Sequence, residues 1–467
     1  MASIRNIEIE ISDNEPFANC KLGREVYAEV LTTIVDSYAD GFVLAINNEW
    51  GTGKTTFVKM WQTYLKKVGH NTVYFNAWEN DFEDNALVAL MGELKAVMES
   101  SNADFKSALS KAAKLSKHLV PVVTKAILNK YVDGETLKAG LTALTEGVTD
   151  VFEHEVNEYA SKKASIKDFK NSLVKLIETT QFNGKPLVFI IDELDRCRPN
   201  YAVSILEQIK HFFSVPNIVF VLSIDKEQLG HAVRGVYGSD KLNADEYLRR
   251  FIDIEYSLPQ PDAMKYAQFL YKYYEIEAFF NNEERVRYPE LMKDGGLLFR
   301  IISMYFSSGK ILLRQQEKIF ILLRISLKGF KFNEYVLPDI LFFLCFVKMF
   351  ESSFYFSICN GDLTVKELQV KFYEVSNKYL SYQKDYSNEL LYLEMNLIHS
   401  YNKFNSYERK EDLLKEDSHG NFIFKSKYCK TKDAHKELVE GFNFDRSCDI
   451  ALDHLFKRIN LLDALKN

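Results

Sequence analysis

The chain has 467 residues, more than one hydrophobic core normally serves, so two or three domains are expected. Hydrophobic residues make up 47%, which excludes a disordered chain, and the formal net charge of −6 excludes a global attraction to nucleic acid while leaving a local basic patch open. Six cysteines without CxxC spacing and nine histidines without HxxxH spacing argue against a disulfide framework or a zinc site; the thiols read as reduced and cytoplasmic.

Residues 3–11 alternate apolar and polar, the pattern of a short edge strand. The N-terminus lacks the apolar stretch of a signal peptide. Lys21-Leu22-Gly23-Arg24-Glu25 opens a helix to about Asp36. Phe42 to Ile46 is an apolar strand, and a helical pattern runs from Thr55 to Leu65. Between them stands Asn48-Glu49-Trp50-Gly51-Thr52-Gly53-Lys54-Thr55-Thr56. A strand that enters a Gly-rich turn and leaves as a helix is the setting of a phosphate-binding loop. Gly51 and Gly53 allow close backbone approach to phosphate oxygens, and the amides of the turn point at the anion. Lys54 reaches the β/γ-phosphates, and the Thr55 hydroxyl is placed to ligate Mg²⁺. Such loops begin with Gly, and here that place holds Asn48, the residue type after Gly that best tolerates left-handed angles.

Thr72 to Asn76 is a second strand, followed by Ala77-Trp78-Glu79-Asn80-Asp81. Residues 84–178 are helical in pattern, a large insertion for a crossover between strands. Lys106, Lys111, Lys114, Lys117, Lys125 and Lys130 alternate there with apolar Leu109, Ala112, Ala113, Leu119, Val120, Val123 and Ile127. This is either a solvated helix face or a surface for a membrane or partner. Leu187 to Ile191 is a strand buried on both faces, tipped by Asp192 and Glu193. That tip is where open α/β sheets hold ligands. Asp192 is placed to hold Mg²⁺ through its water shell, and Glu193 to orient and deprotonate an attacking water.

Ala202 to Phe213 reads as a helix and Asn217 to Ile224 as a strand. Ser223 and Asp225 at its tip sit either near a γ-phosphate or as strand-end caps. Asp245 to Ile254 reads as a helix end running into a short strand, and Pro259-Gln260-Pro261 marks a domain boundary. No uncharged apolar run approaches the roughly 18 residues of a bilayer span. The nearest, Ile340 to Val347, reads as a buried helix, and the many Tyr and Phe after residue 250 suggest an aromatic core or contact face.

Trp50, Phe75-Asn76-Ala77-Trp78, Asp192-Glu193-Leu194-Asp195-Arg196-Cys197, Val221 to Lys226 and Glu246-Tyr247-Leu248-Arg249-Arg250-Phe251 together resemble the KAP family of P-loop NTPases, over roughly residues 13–320. Leu22-Gly23-Arg24-Glu25 is similar to the element that precedes the P-loop in the wider STAND class. The resemblance implies an α/β fold, an AAA-like αβα sandwich with a parallel sheet. It implies a P-loop core over 1–260, a helical lid over 261–330 and a helical C-terminal region over 331–467. It further implies an ATPase that uses ATP and Mg²⁺ as a conformational switch, with a second copy of the chain or an effector protein as partner. Arg314 is similar to a lid-helix sensor arginine, and Arg249 or Arg250 to an arginine finger. Many members carry transmembrane helices where residues 84–178 stand, but this segment is too charged to span. Bacterial relatives often belong to phage-defence systems.

Alternative readings are a non-hydrolytic nucleotide-binding scaffold, favoured by Asn48, and a nucleic-acid-stimulated ATPase using the 106–130 lysines. Trp50 stacks on a base or packs under the loop, with packing favoured, and Trp78 buttresses the loop. Arg24 lies at the adenine edge or on the helix surface, and Arg196 pairs with Asp195 or reaches across a subunit interface.

Overall fold

The computed structural model describes residues 9–38, 41–83, 85–97, 103–118, 148–180, 184–213, 215–260, 262–380, 385–405, 410–416, 418, 422, 424–429, 431–444 and 452–460. They fall into two compact units, one from Ile9 to Pro259 and one from Gln260 onward.

The first unit is built on five parallel strands: β1 (Phe42–Asn47), β2 (Thr72–Asn76), β3 (Leu187–Asp192), β4 (Ile218–Ile224) and β5 (Ile254–Tyr256). Their spatial order is β2-β3-β4-β1-β5. The acid-tipped β3 therefore does not touch β1; β4 lies between them. Every residue of β3 and β4 is buried, which is why both read as continuous apolar runs up to the polar Asp192 and Ser223 near their C-terminal ends and not as alternating ones.

The pleat divides these strands between two cores. Leu44, Ile46, Val188, Ile190, Val219 and Val221 face one side, with α1 (Glu25–Ser37) and α2 (Lys54–Lys67) supplying Leu31, Val35, Phe57 and Trp61. Val43, Ala45, Phe189, Ile191, Phe220 and Leu222 face the other. There they meet α3 (Ala86–Val97), α4 (Ala103–His118), α5 (Val148–Thr179), α6 (Pro199–Gln208) and α7 (Lys226–Tyr237). This is the expected αβα sandwich.

The helical insertion belongs to that second core. Phe105, Ala108, Ala112 and Leu115 of α4 pack with Phe169, Leu173 and Leu176 of α5, while Lys106 and Lys114 stay exposed. Residues 119–147, with Lys125, Lys130 and four of the apolar residues singled out above, lie outside the described residues. No helix of the described residues is long and apolar enough to cross a membrane.

The element expected over residues 3–11 differs. Residues 1–8 lie outside the described residues, and 9–11 form no strand; Ile9 and Ile11 instead pack against the α1/α2 core. The helix expected to Phe213 is regular only to Gln208 and then widens to π spacing over Ile209–Phe213. Gly41, at the entry to β1, has φ +76°, and a Cβ there would sit 2.7 Å from the carbonyl oxygens of Ile218 and Val215. Only glycine lets the chain come this close to its neighbour.

The second unit is helical among its described residues, with helices that include Ala263–Tyr273, Asp294–Phe306, Leu313–Leu327, Pro338–Phe350, Val365–Tyr379 and Ser387–Phe404. Pro338 to Val347 are all buried, as the apolar run from Ile340 suggests. The aromatic residues form its core: Tyr305 meets Phe342 and Phe346, Phe343 meets Phe372, and Phe306 meets Phe320.

Candidate functional site: a phosphate loop facing two acids

Strand register sets the site. Asn76 pairs with Asp192, Asp192 with Ser223, and Ser223 with Ile46, so these residues form one row across the C-terminal ends of four strands. The loop Asn48–Gly53 rises from the end of this row. Gly51 and Gly53 both hold φ +81°, the left-handed angles that require glycine, and Gly53 caps α2.

Asn48 does not serve as a left-handed residue; its φ is not positive. Its side-chain amide donates to the Leu258 carbonyl and its Oδ1 accepts the Leu258 N–H, both at 2.9 Å. The amide thus does what a glycine could not, by tying the loop entry to the chain after β5. Asn47 makes a parallel tie, donating to Glu255 and accepting from the Lys226 N–H.

Arg24 is neither at a helix surface nor free to meet a base. It is 3% exposed, and its fork donates to the carbonyls of Thr52 (2.8 Å) and Gly53 (3.1 Å). Burial lowers its pKa. By holding two loop carbonyls outward it fixes the peptide planes whose amides face the other way.

Lys54 is buried, and its ammonium folds back on the carbonyls of Asn48 and Glu49. Burial lowers its pKa, opposed by the charges of Asp195, Asp225 and Asp192. The carboxylates that favour its charge come from two strand ends, Asp192 and Asp195 at and after the end of β3 and Asp225 after β4. Thr55 and Thr56 sit half-buried on the first turn of α2. Thr52 bonds the Glu49 carbonyl within the loop, and Glu49 is exposed.

Asp192 is almost fully buried. One oxygen accepts from the Tyr74 hydroxyl at 2.9 Å and the other from the Glu193 N–H at 3.0 Å. Burial and Asp192 together raise the Tyr74 pKa, so Tyr74 remains a donor. Glu193 has φ +60°, a left-handed angle that costs a non-glycine residue about 1 kcal/mol or more. Its carboxylate is held by Arg196 at 2.6 Å. Burial raises its pKa, with Arg196 opposing.

Arg196 thus pairs with Glu193 and not with Asp195. Asp195 instead accepts from the Trp50 indole N–H. Trp50 is exposed and makes this bond from the loop. Trp78 is more exposed than a loop buttress would be; its ring, like that of Trp50, lies within 6 Å of the Arg196 guanidinium.

Ser223 is fully buried, and its hydroxyl has no hydrogen-bond partner. An orphaned donor between Asp192 and the loop strand fits a group that enters the site. Glycines at positive φ, a lysine parked on loop carbonyls and this hydroxyl all fit a nucleotide phosphate, and Thr55 with Asp192 offers the oxygen donors a hard cation takes.

Arg249 and Arg250 are exposed on the turn after α8 (Ala244–Leu248), where Arg249 lies 3.7 Å from Glu246 and neither bonds Lys54, Asp192 or Glu193. Arg314 is exposed on the first turn of Leu313–Leu327 in the second unit, beside Glu317. Tyr74 was missed by sequence reasoning. Its signal was a hydroxyl-bearing side chain within an apolar strand that neighbours an acid-tipped one.

Residues 24–323 match the KAP family P-loop domain, and the chain belongs to that family of P-loop NTPases. An uncharacterized protein of Methanocaldococcus jannaschii is 28% identical over 162 residues, 30% of this chain and 83% of that protein. Among solved structures, the Aeropyrum pernix ORC2 protein in ADPNP and ADP complexes is similar at 14% identity, with a TM-score of 0.33. That overlap covers 66% of this chain and 63% of the ORC2 chain.

Proposed function

We propose that the protein is a Mg²⁺-dependent ATPase whose hydrolysis switches conformation. The observation that carries this reading is the Gly51/Gly53 loop with buried Lys54 folded on its carbonyls, beside a row of strand ends that holds buried Asp192 and the unpartnered Ser223 hydroxyl, with Glu193 next in the chain. In this reading the loop amides and Lys54 bind the β/γ-phosphates, and Ser223 donates to a phosphate oxygen. Thr55 and Asp192 hold Mg²⁺, which supplies charge neutralisation at the phosphates. Glu193 takes the proton of the attacking water once its carboxylate is free. Positioning and charge then do most of the work.

A switch needs something to act on. A second copy of the chain or an effector protein is the partner this reading calls for, with exposed Arg249 or Arg250 as the group offered to a neighbour's site and Arg314 as a sensor of the bound state. A role in phage defence follows only from what members of the family do.

Phosphate release by purified protein tests the reading. Lys54→Ala should lose ATP binding, and Glu193→Gln should keep ATP bound and stop cleavage. Turnover by Glu193→Gln at the wild-type rate would remove the general-base role. Tight ATP binding by a wild-type protein that releases no phosphate would leave the scaffold reading.

A further inference from the structure

We propose that Arg196, held between Trp50 and Trp78, is a latch that withholds Glu193 from catalysis until the phosphate loop is filled. This rests on the ATPase reading and deepens it.

Glu193 cannot act as a base in the geometry seen. One carboxylate oxygen, Oε1, is 2.6 Å from Arg196 Nη1. The lone pair engaged by the guanidinium is not available to a water proton. The pair is shielded as well: the Glu193 side chain is 14% exposed and that of Arg196 28%. The left-handed angle at Glu193 turns the side chain toward this partner.

Arg196 is itself fixed by aromatic faces. Its guanidinium carbon lies 5.9 Å from the Trp50 ring and 5.6 Å from the Trp78 ring, within cation–π range of both. Trp78 is anchored from outside the loop. Its N–H bonds the Asn76 side chain, and the turn it occupies is pinned where Asp81 receives the Arg198 N–H and Nε.

Trp50 belongs to the phosphate loop, and this gives the latch its trigger. The Lys54 ammonium bonds the carbonyls of Asn48 and Glu49, the two residues before Trp50. A triphosphate that takes this ammonium removes the partner of both carbonyls. Trp50 then moves with the loop, and it carries two bonds to the acid turn: its indole N–H to Asp195 and its ring to Arg196. Loop occupancy is thereby connected to the base through Lys54, residues 48–49, Trp50 and Arg196, with each contact adjoining the next. A guanidinium kept only to stabilise the fold would not need an indole from the loop it controls.

The test compares ATP affinity and phosphate release in wild type, Arg196→Ala, Arg196→Lys, Trp78→Ala and Glu193→Gln. Arg196→Ala should bind ATP within about threefold of wild type and release phosphate faster by on the order of tenfold, the weight of one charge-assisted hydrogen bond. Trp78→Ala removes an exposed ring and keeps the test decisive should Arg196→Ala fail to fold. It should raise release severalfold. Arg196→Lys keeps the charge and should restore most of the restraint. Glu193→Gln should stay silent in every background. Unchanged or slower release by Arg196→Ala and Trp78→Ala, with ATP binding intact, overturns the latch and leaves the ATPase reading standing. Failure of every protein to bind ATP overturns both.

Discussion

Replacing Arg24 with Met separates what the loop brace does for folding from what it does for binding. The substitution keeps the length and apolar stem of a 3%-exposed side chain and deletes its two bonds to the Thr52 and Gly53 carbonyls. Two bonds from a charged donor represent about 3–6 kcal/mol gross. Against this, the guanidinium meets carbonyls and no carboxylate among the described residues, and burial already lowers its pKa. Removing it recovers a desolvation cost of several kcal/mol. The two nearly cancel, so net stability should shift by about 1 kcal/mol or less, which moves Tm by roughly 2–4 °C in a unit this size. Binding has no such compensation. Two peptide units lose their anchor, and the nucleotide must order them at about 1 kcal/mol each. ATP affinity should fall about 30-fold, equivalent to about 2 kcal/mol. Calorimetric titration with ATP and a thermal melt on the same protein decide the matter. Arg24→Lys keeps the charge but not the fork and should fall between. A large loss of Tm with unaltered ATP affinity in the folded fraction would refute the brace and make Arg24 a core residue only.

Restoring glycine at the loop entry should weaken the protein and not improve it. Asn48→Gly loses both bonds to the Leu258 backbone, a stability cost of about 2 kcal/mol, and should bind ATP less tightly. Tighter binding in calorimetry would show that the amide is a defect. Tyr74→Phe removes the neutral donor that orients Asp192, so the Mg²⁺ concentration giving half-maximal ATP turnover should rise about tenfold, while ATP affinity measured in EDTA stays the same. An unchanged Mg²⁺ titration would remove Tyr74 from the site.

What the sequence made legible was local. The runs Phe42 to Ile46, Leu187 to Ile191 and Ile218 to Leu222 are apolar without interruption, as a strand covered on both faces requires. Gly51 and Gly53 stand where left-handed angles occur, and Asp192 and Glu193 end their strand. Each signal lies within a few residues of the feature it marks. Strand order was not legible, because nothing in β1 or β3 states that β4 lies between them.

The brace, the loop tie and the latch were hidden for the same reason. Arg24 reaches 29 residues forward to Gly53, Asn48 reaches 210 to Leu258, and Trp50 reaches 145 to Asp195. The sequence left Arg24 between the adenine edge and a helix surface and suggested backbone tolerance for Asn48, since those are the uses that local pattern can show. Tertiary contact gave each another use, in which a side chain substitutes for a missing backbone or ligand contact. All three act on the loop between Asn48 and Gly53, from the segment before β1, from the segment after β5 and from the turn after β3. A loop that must yield to a triphosphate and yet hold its amides in place beforehand needs restraint from outside its own sequence, because its glycines remove local preference where shape matters most. The residues that confer that restraint are therefore expected far away in the chain, and substitutions at them should change affinity or turnover more than they change stability.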